Sequence, residues 1–179
     1  MRHFFSSNLF KSWCSKIFYQ QLVPGPLEDL TIIADDQKLY GIWFQGQKYF
    51  AAHLPLAEVA PQANQLTQQT ALWLQQYFAG QQPTQTLPAL AWEQLTPFRQ
   101  RVGHLLCQIP YGQTCSYQDL AQQLGGFNYA RAAARAVGHN PFSIIVPCHR
   151  VLGKDHSLIG YAGGLAQKRW LLDWEQAHC

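Results

Sequence analysis

From Ile17 to Phe50 the chain alternates short β-prone runs with turn formers: IFYQQLV, then Pro24-Gly25-Pro26, LTIIA, then Asp35-Asp36, and LYGIWF closed by Gly46. Branched and aromatic side chains suit a pleated surface, whereas Gly, Pro and Asp suit the bends between strands. The pattern predicts a three-stranded antiparallel meander. The period then changes, and from Gln62 to Phe78 the positions Leu66, Thr70, Trp73, Leu74 and Tyr77 fall on one face of a helix ended by Gly80 and Pro83. This helix should cover one face of the meander, and its aromatic stripe reads as core packing rather than a ligand box. The stretch from Gly80 to Pro88, with its Gln, Thr and Pro residues, reads as a linker.

Beyond it the pattern is helical. Thr96-Pro97 sets an N-cap with proline at the first helical position, and Phe98, Val102, Leu105, Leu106 and Ile109 continue one apolar face to a stop near Pro110. Ser116 with Asp119 forms a capping-box pattern that opens a short helix through Leu124. Gly125-Gly126 permits a sharp turn into an alanine-rich helix from about Asn128 to Val137, carrying Arg131 and Arg135 one turn apart on one face. Helix, glycine turn, helix is a helix-turn-helix signature, in which the second helix enters a DNA groove. Glycine-turned helix pairs also occur without DNA. SIIV at 143–146 is expected to be a short buried strand, and a last helix starts at about Leu165. The fold class is α+β: an antiparallel sheet with a covering helix, then a helical, winged-helix-like helix-turn-helix domain. The expected division is an extension over 1–15, an α/β domain over 16–85 and a second domain over 86–179.

Composition narrows the classes. Of 179 residues 47% are hydrophobic and 13% charged, enough apolar material for a real core and unlike a disordered tail. No apolar run approaches the roughly 18 residues a membrane span needs. The basic, apolar start MRHFFSSNLFKSWCSK is interrupted by Ser6, Ser7 and Asn8 and lacks a small-residue cleavage site, so it reads as an extension rather than a signal peptide. Five cysteines, an odd number without a C-x-x-C pair, argue against a disulfide scaffold or a structural zinc site and favour a reducing, cytoplasmic setting. The net charge of +3 is mild, but its placement is informative: residues 1–85 balance five Lys/Arg against five Asp/Glu, and residues 86–179 set eight against five. If any part meets phosphate, it is the second half. A solvated basic face with no ligand remains the alternative on charge alone.

Chemistry concentrates at Pro147-Cys148-His149-Arg150-Val151. A thiol acts as the thiolate, and an adjacent base or cation makes that form accessible. Alternation along a strand would turn Cys148 and His149 to opposite sides, so contact requires an irregular turn after Pro147 or one bridging water. A histidine base also needs an orienting carboxylate, and the last helix offers Asp173 and Glu175. On these residues alone, a buried structural cysteine beside a surface histidine stays open.

The run IIVPCHRVLG followed by GYAGGLAQKRWLLDWE closely resembles the signature and C-terminal helix of the methylated-DNA-protein-cysteine methyltransferases, the O6-alkylguanine-DNA alkyltransferases. IPYGQTCSYQDLAQQLGG and Asn140-Pro141 fit the same family, so the resemblance covers about residues 90–176, and VPGPLEDLTIIADDQKLYGIWFQGQ looks like the family's less distinctive N-terminal domain. The resemblance implies transfer of the alkyl group of O6-alkylguanine, with O4-alkylthymine a second candidate, from double-stranded DNA to Cys148. Each molecule would act once, as a monomer, without cofactor, metal or membrane, in the cytoplasm and on the nucleoid when bound to DNA. His149 would be the base acting through water, with Glu175 the carboxylate that orients it. Asn140 would sit between the recognition helix and the active-site strand. Tyr117 would help turn the nucleotide and bond the departing purine. Val151 and Cys148 would offer carbonyls to the base, and Tyr161 and the Ala162 amide would line the pocket and reach O6. Ala162 stands where some members have Ser, at little cost because the amide acts.

The family's intercalating arginine lies in an A-R-A-V-G string nine residues before Asn-Pro, whereas here those letters span Ala134 to Gly138, with Arg135 five before Asn140. Counting without gaps from SYQDL and from PCHR lands on Arg131. Helical rise is fixed at about 1.5 Å per residue, so position outranks the neighbouring letters and Arg131 is chosen as the plug for the vacated base, with Arg135 a phosphate contact. Three competitors fare worse. Cysteine hydrolases place base and nucleophile far apart in sequence and have local signatures missing here. Alkylated-DNA-binding relatives without transfer activity have their acceptor cysteine replaced, and Cys148 is intact. A larger regulator with a zinc domain fails for length and for want of a cysteine cluster. His3, Cys14 and His53 have spacing too irregular for a metal site.

Overall fold

The computed structural model describes residues 16–81, 83 and 86–179, so the extension over 1–15 and part of the linker lie outside the described residues. Strands β1 (Phe18–Val23), β2 (Leu30–Ala34) and β3 (Leu39–Phe44) pair antiparallel as expected. A short fourth strand, β4 (Val59–Ala60), joins β1 in parallel, giving the order β3-β2-β1-β4. Two residues are too few to show alternation, which is why the pattern missed it.

Every residue of β2 and β3 is buried because the sheet is covered on both faces. Ile32, Ile42 and Phe44 face Ala71, Leu74 and Tyr77 of helix α1 (Gln65–Phe78). Ile33, Tyr40 and Trp43 pack with Phe18, Ala51, Leu54 and Ala91 on the other side. Helix α1 begins three residues later than the periodicity predicts, where Asn64 accepts from the Thr67 amide at 2.9 Å and Thr67 Oγ1 accepts from the Asn64 amide at 2.9 Å.

The outer edge of β3 grips the second half of the chain. Leu39 donates to the Ala89 carbonyl at 2.8 Å and accepts from the Ala91 amide at 2.9 Å, while Ile42 donates to Pro141 at 2.7 Å and accepts from Ser143 at 3.1 Å. The sheet edge thus holds the segment that leads into Cys148.

In that half lie α2 (Pro97–Leu106), α3 (Tyr117–Leu124), α4 (Ala130–Gly138) and α5 (Leu165–Ala177). Thr96 caps α2 and the reciprocal Ser116/Asp119 box caps α3. Gly125 and Gly126 adopt φ of 125° and 133°, a region closed to most side chains, and a 3-10 turn over Phe127–Tyr129 precedes α4. The helix-turn-helix is therefore present, with its second helix starting two residues later than expected. Ala133, Ala136 and Val137 bury one face of α4 and leave Arg131 and Arg135 exposed.

One expectation fails. SIIV is a turn, with Ile144 at φ 72°, Ile145 donating to Ser143 at 2.9 Å and Val146 to Phe142 at 2.9 Å. The apolar run is buried because the chain folds back on itself under Asn140, not because it extends, and periodicity cannot distinguish the two in so short a run. The local strands are instead β5 (Cys115–Ser116) and β6 (Val151–Leu152), paired in parallel on either side of the site.

Candidate active site

Pro147 leads into a 3-10 turn over Cys148–Arg150, the irregular geometry that a Cys-His pair requires, and all three side chains are buried. There is accordingly no active-site strand for Asn140 to adjoin. Asn140 instead ties the turn together: its Nδ2 donates to the Val146 carbonyl at 2.8 Å and to Cys148 Sγ at 3.1 Å, while its Oδ1 accepts from the Phe142 amide at 3.0 Å. Burial pushes the Cys148 thiol up, and the Asn140 hydrogen bond and the Lys168 charge oppose that push.

Glu175 lies at the centre of the buried polar network. Its carboxylate accepts from Tyr77 Oη at 2.8 Å, His149 Nε2 at 2.8 Å, Arg150 Nη2 and Nε at 2.8 Å each, and the Gly112 amide at 3.2 Å. Burial would raise its pKa, but the bonds from His149 and Arg150 outweigh it and hold the group down at about 2. An ionised Glu175 accepts the Nε2 proton of His149 and leaves the lone pair on Nδ1, which has no hydrogen-bond partner among the described residues. Burial lowers the pKa of His149 and keeps the ring neutral. Asp173, the other carboxylate the sequence offered, is exposed.

Above the turn opens a cleft of about 800 Å³ whose walls include Tyr117, Arg131, Tyr161 and Ala162 together with Lys48 and Tyr49 of the N-terminal half. Cys148 is 4% exposed and lies outside the lining, yet a Cys148 thiolate would help to raise the phenols of Tyr117 and Tyr161, which do line it. Tyr117 donates to the Gly160 carbonyl at 3.1 Å, and burial pushes its phenol up to about 12, so it is a proton donor at neutral pH. Arg135 does not line the cleft; its carbonyl accepts from His139 Nδ1 at 2.7 Å. The Val151 carbonyl accepts from Lys168 Nζ at 2.5 Å. Of the irregularly spaced His3, Cys14 and His53, His53 bonds Gln94 through Nε2, and His3 and Cys14 lie outside the described residues.

The sequence reading missed Arg150, Tyr77 and Lys168. Lys168 is fully buried, donates also to the Ile159 carbonyl at 2.7 Å, and has its pKa lowered by burial to about 8. A signal was available: Lys168 and Glu175 share the buried stripe of α5 with Leu171, at i, i+3 and i+7, where charge is costly without a purpose. Tyr77 carried no signal, because its place in an apolar stripe explains it without its hydroxyl.

Fold and site together define a class: an α+β protein in which a buried cysteine, with its histidine and carboxylate, is built into a helix-turn-helix half. Residues 97–177 match the DNA binding domain of 6-O-methylguanine DNA methyltransferase, and residues 18–90 match the ribonuclease-like domain of the same family. A methylated-DNA-protein-cysteine methyltransferase of Haemophilus influenzae is 35% identical over 158 residues, covering 88% of this chain and 86% of that protein. The chain belongs to this family. A Mycobacterium bovis relative of the same name is 52% identical over 82 residues, 46% of this chain, and the match spans 50% of its length. The crystal structure of a Mycobacterium tuberculosis relative, titled OGT in complex with DNA, superimposes with a TM-score of 0.78 at 33% identity, covering 90% of this chain and 94% of that one.

Proposed function

We propose that the protein repairs DNA by moving the alkyl group of O6-alkylguanine in a duplex, and of O4-alkylthymine as a second substrate, onto its own Cys148. It acts once per molecule, as a monomer in the cytoplasm. The observation that carries this reading is the relay Glu175 to His149: an ionised carboxylate fixes the Nε2 proton and leaves Nδ1 as the acceptor, through a bridging water, for the Cys148 proton. The thiolate attacks the alkyl carbon in line, the S–C bond forms as the C–O6 bond breaks, and guanine leaves with the electron pair. Tyr117 and the Ala162 amide ease its charge by hydrogen bonding before solvent reprotonates it. The carbonyls of Cys148 and Val151 meet the base edge, and Tyr161 closes the pocket.

A buried thiol cannot reach O6 inside a stacked duplex, so the nucleotide must be extruded into the cleft and its place filled. Arg131 suits that task, because it stands on the wall of the cleft that Arg135 does not share. Arg135, on the exposed face of the same helix, suits a phosphate contact. The thioether product has no neighbouring group able to hydrolyse it, hence the single turnover. Mass spectrometry after incubation with an O6-methylguanine oligonucleotide tests the reading: one methyl on the peptide containing Cys148 is expected. Methylation of Cys107 or Cys115, whose thiols burial pushes up, or release of several equivalents of product, would overturn it.

A further inference from the structure

Among the described residues, the network around Glu175 includes one member from outside the second half of the chain. Tyr77 stands in the last turn of α1, and its hydroxyl donates to Oε1 of Glu175, the same oxygen that holds His149. The docking that delivers it is aromatic. Tyr77 stacks on Trp73 with centroids 5.7 Å apart, Phe78 packs edge-on against Trp170 at 5.9 Å, and Trp174 donates from Nε1 to the Tyr77 carbonyl at 3.0 Å. Tyr77 is 3% exposed, and burial, followed by the neighbouring Glu175 charge, pushes its phenol far above the usual range, so the proton stays on the hydroxyl. A buried hydroxyl is costly unless bonded, and Phe would fill the same apolar stripe without that cost. The placement of this one donor on the carboxylate oxygen that holds His149 is what calls for a functional account.

We propose that Tyr77 is a positioning residue for the Glu175–His149 pair, so that the N-terminal half contributes a group to alkyl transfer and does not serve as scaffold alone. The proposal rests on the transfer reaction inferred above. Arg150 clamps both carboxylate oxygens, the Gly112 amide holds Oε2, and the charges of Arg150 and Lys168 both disfavour protonated His149. By donating to Oε1, the Tyr77 hydroxyl adds a further constraint on the rotation of the carboxylate and draws off part of its charge. His149 is then held for proton uptake at Nδ1 without being driven to the imidazolium, in which Nδ1 already carries a proton. Removal of the donor should act in two ways. The carboxylate loses one constraint on its angle, which lowers the rate, and its full charge favours protonated His149, which moves the acid limb of the rate profile to higher pH.

The test is single-turnover transfer from a methylated duplex, followed against pH in the full chain. Tyr77→Phe should lower the plateau rate about tenfold and move the acid limb up by about one unit, the worth of one hydrogen bond to a charged group. In a Glu175→Gln background the same change should have no further effect on the rate, since Tyr77 acts through that carboxylate, whereas a structural contribution would add independently. Replacement of Tyr77 by 3-fluorotyrosine keeps the ring and strengthens the donor, and should move the limb to lower pH; this variant decides the question if Tyr77→Phe does not fold. An unshifted limb in a folded variant, or an additive loss in the double variant, overturns the proposal while leaving the transfer reaction intact. Absence of transfer by the unaltered protein would instead remove the reading beneath it.

Discussion

In the N-terminal sheet β2 and β3 bury Leu30, Ile32, Ile33, Leu39, Ile42 and Phe44, whereas α5 buries Lys168 and Glu175 beside Leu171. The first interior is stabilised by removal of apolar surface from water, worth about 25 cal/mol per Å². The second holds His149, Arg150, Lys168 and Glu175, each of which pays a desolvation cost that well-packed apolar residues would avoid. Buried charge of this kind concentrates at functional sites. If the proposed transfer reaction holds, the difference teaches that the second half buries the charge its chemistry uses, while the β3 edge and α1 pack against it.

The comparison can be broken most severely at the sulfur. Cys148→Ala should abolish transfer while leaving duplex binding by gel shift within about twofold, since the thiol makes no phosphate contact; residual transfer would place the acceptor elsewhere. Next in size is Glu175→Gln, expected to slow transfer roughly a hundredfold by loosening the orientation of His149. Unlike a change confined to the apolar sheet packing, such as Leu74→Ala at about 3 kcal/mol of stability with the rate retained, it should alter both rate and pH response. An ordinary glutamate titrates near 4.5 and folded Glu175 at about 2, so folding favours the ionised form. That contribution is fully present above pH 4.5 and is lost as the pH falls toward 2. It amounts to something on the order of 3 kcal/mol. Denaturation midpoints of the unaltered protein should drop across this window, and those of Glu175→Gln should be flatter. Equal slopes would remove Glu175 as the acid-labile group.

The smallest effects sharpen the assignment on α4. Arg131→Ala should slow repair of duplex DNA much more than reaction with free O6-methylguanine base, which needs no extrusion. Arg135→Ala should weaken binding about equally for all sequences and shallow the salt dependence by about one phosphate contact. If the two variants exchange these phenotypes, the letters A-R-A-V-G were a better guide to register than position.

The sequence by itself determined the three long strands, the caps of α2 and α3, the glycine turn and the pairing of His149 with Glu175, because strand alternation, capping chemistry and the P-C-H-R-V resemblance are all local or linear signals. It could not show that SIIV folds into a turn, since an apolar run reports burial and not direction. Nor could it distinguish Tyr77 from its neighbours in the core stripe, or give Asn140 its bond to the sulfur. Those facts are contacts between residues 98 and 8 positions apart respectively. Only the docking of α1 on α5, and the folding of the segment after α4 against the β3 edge, bring the donors to their acceptors, because a hydrogen bond depends on distance and angle in space and leaves no period along the chain.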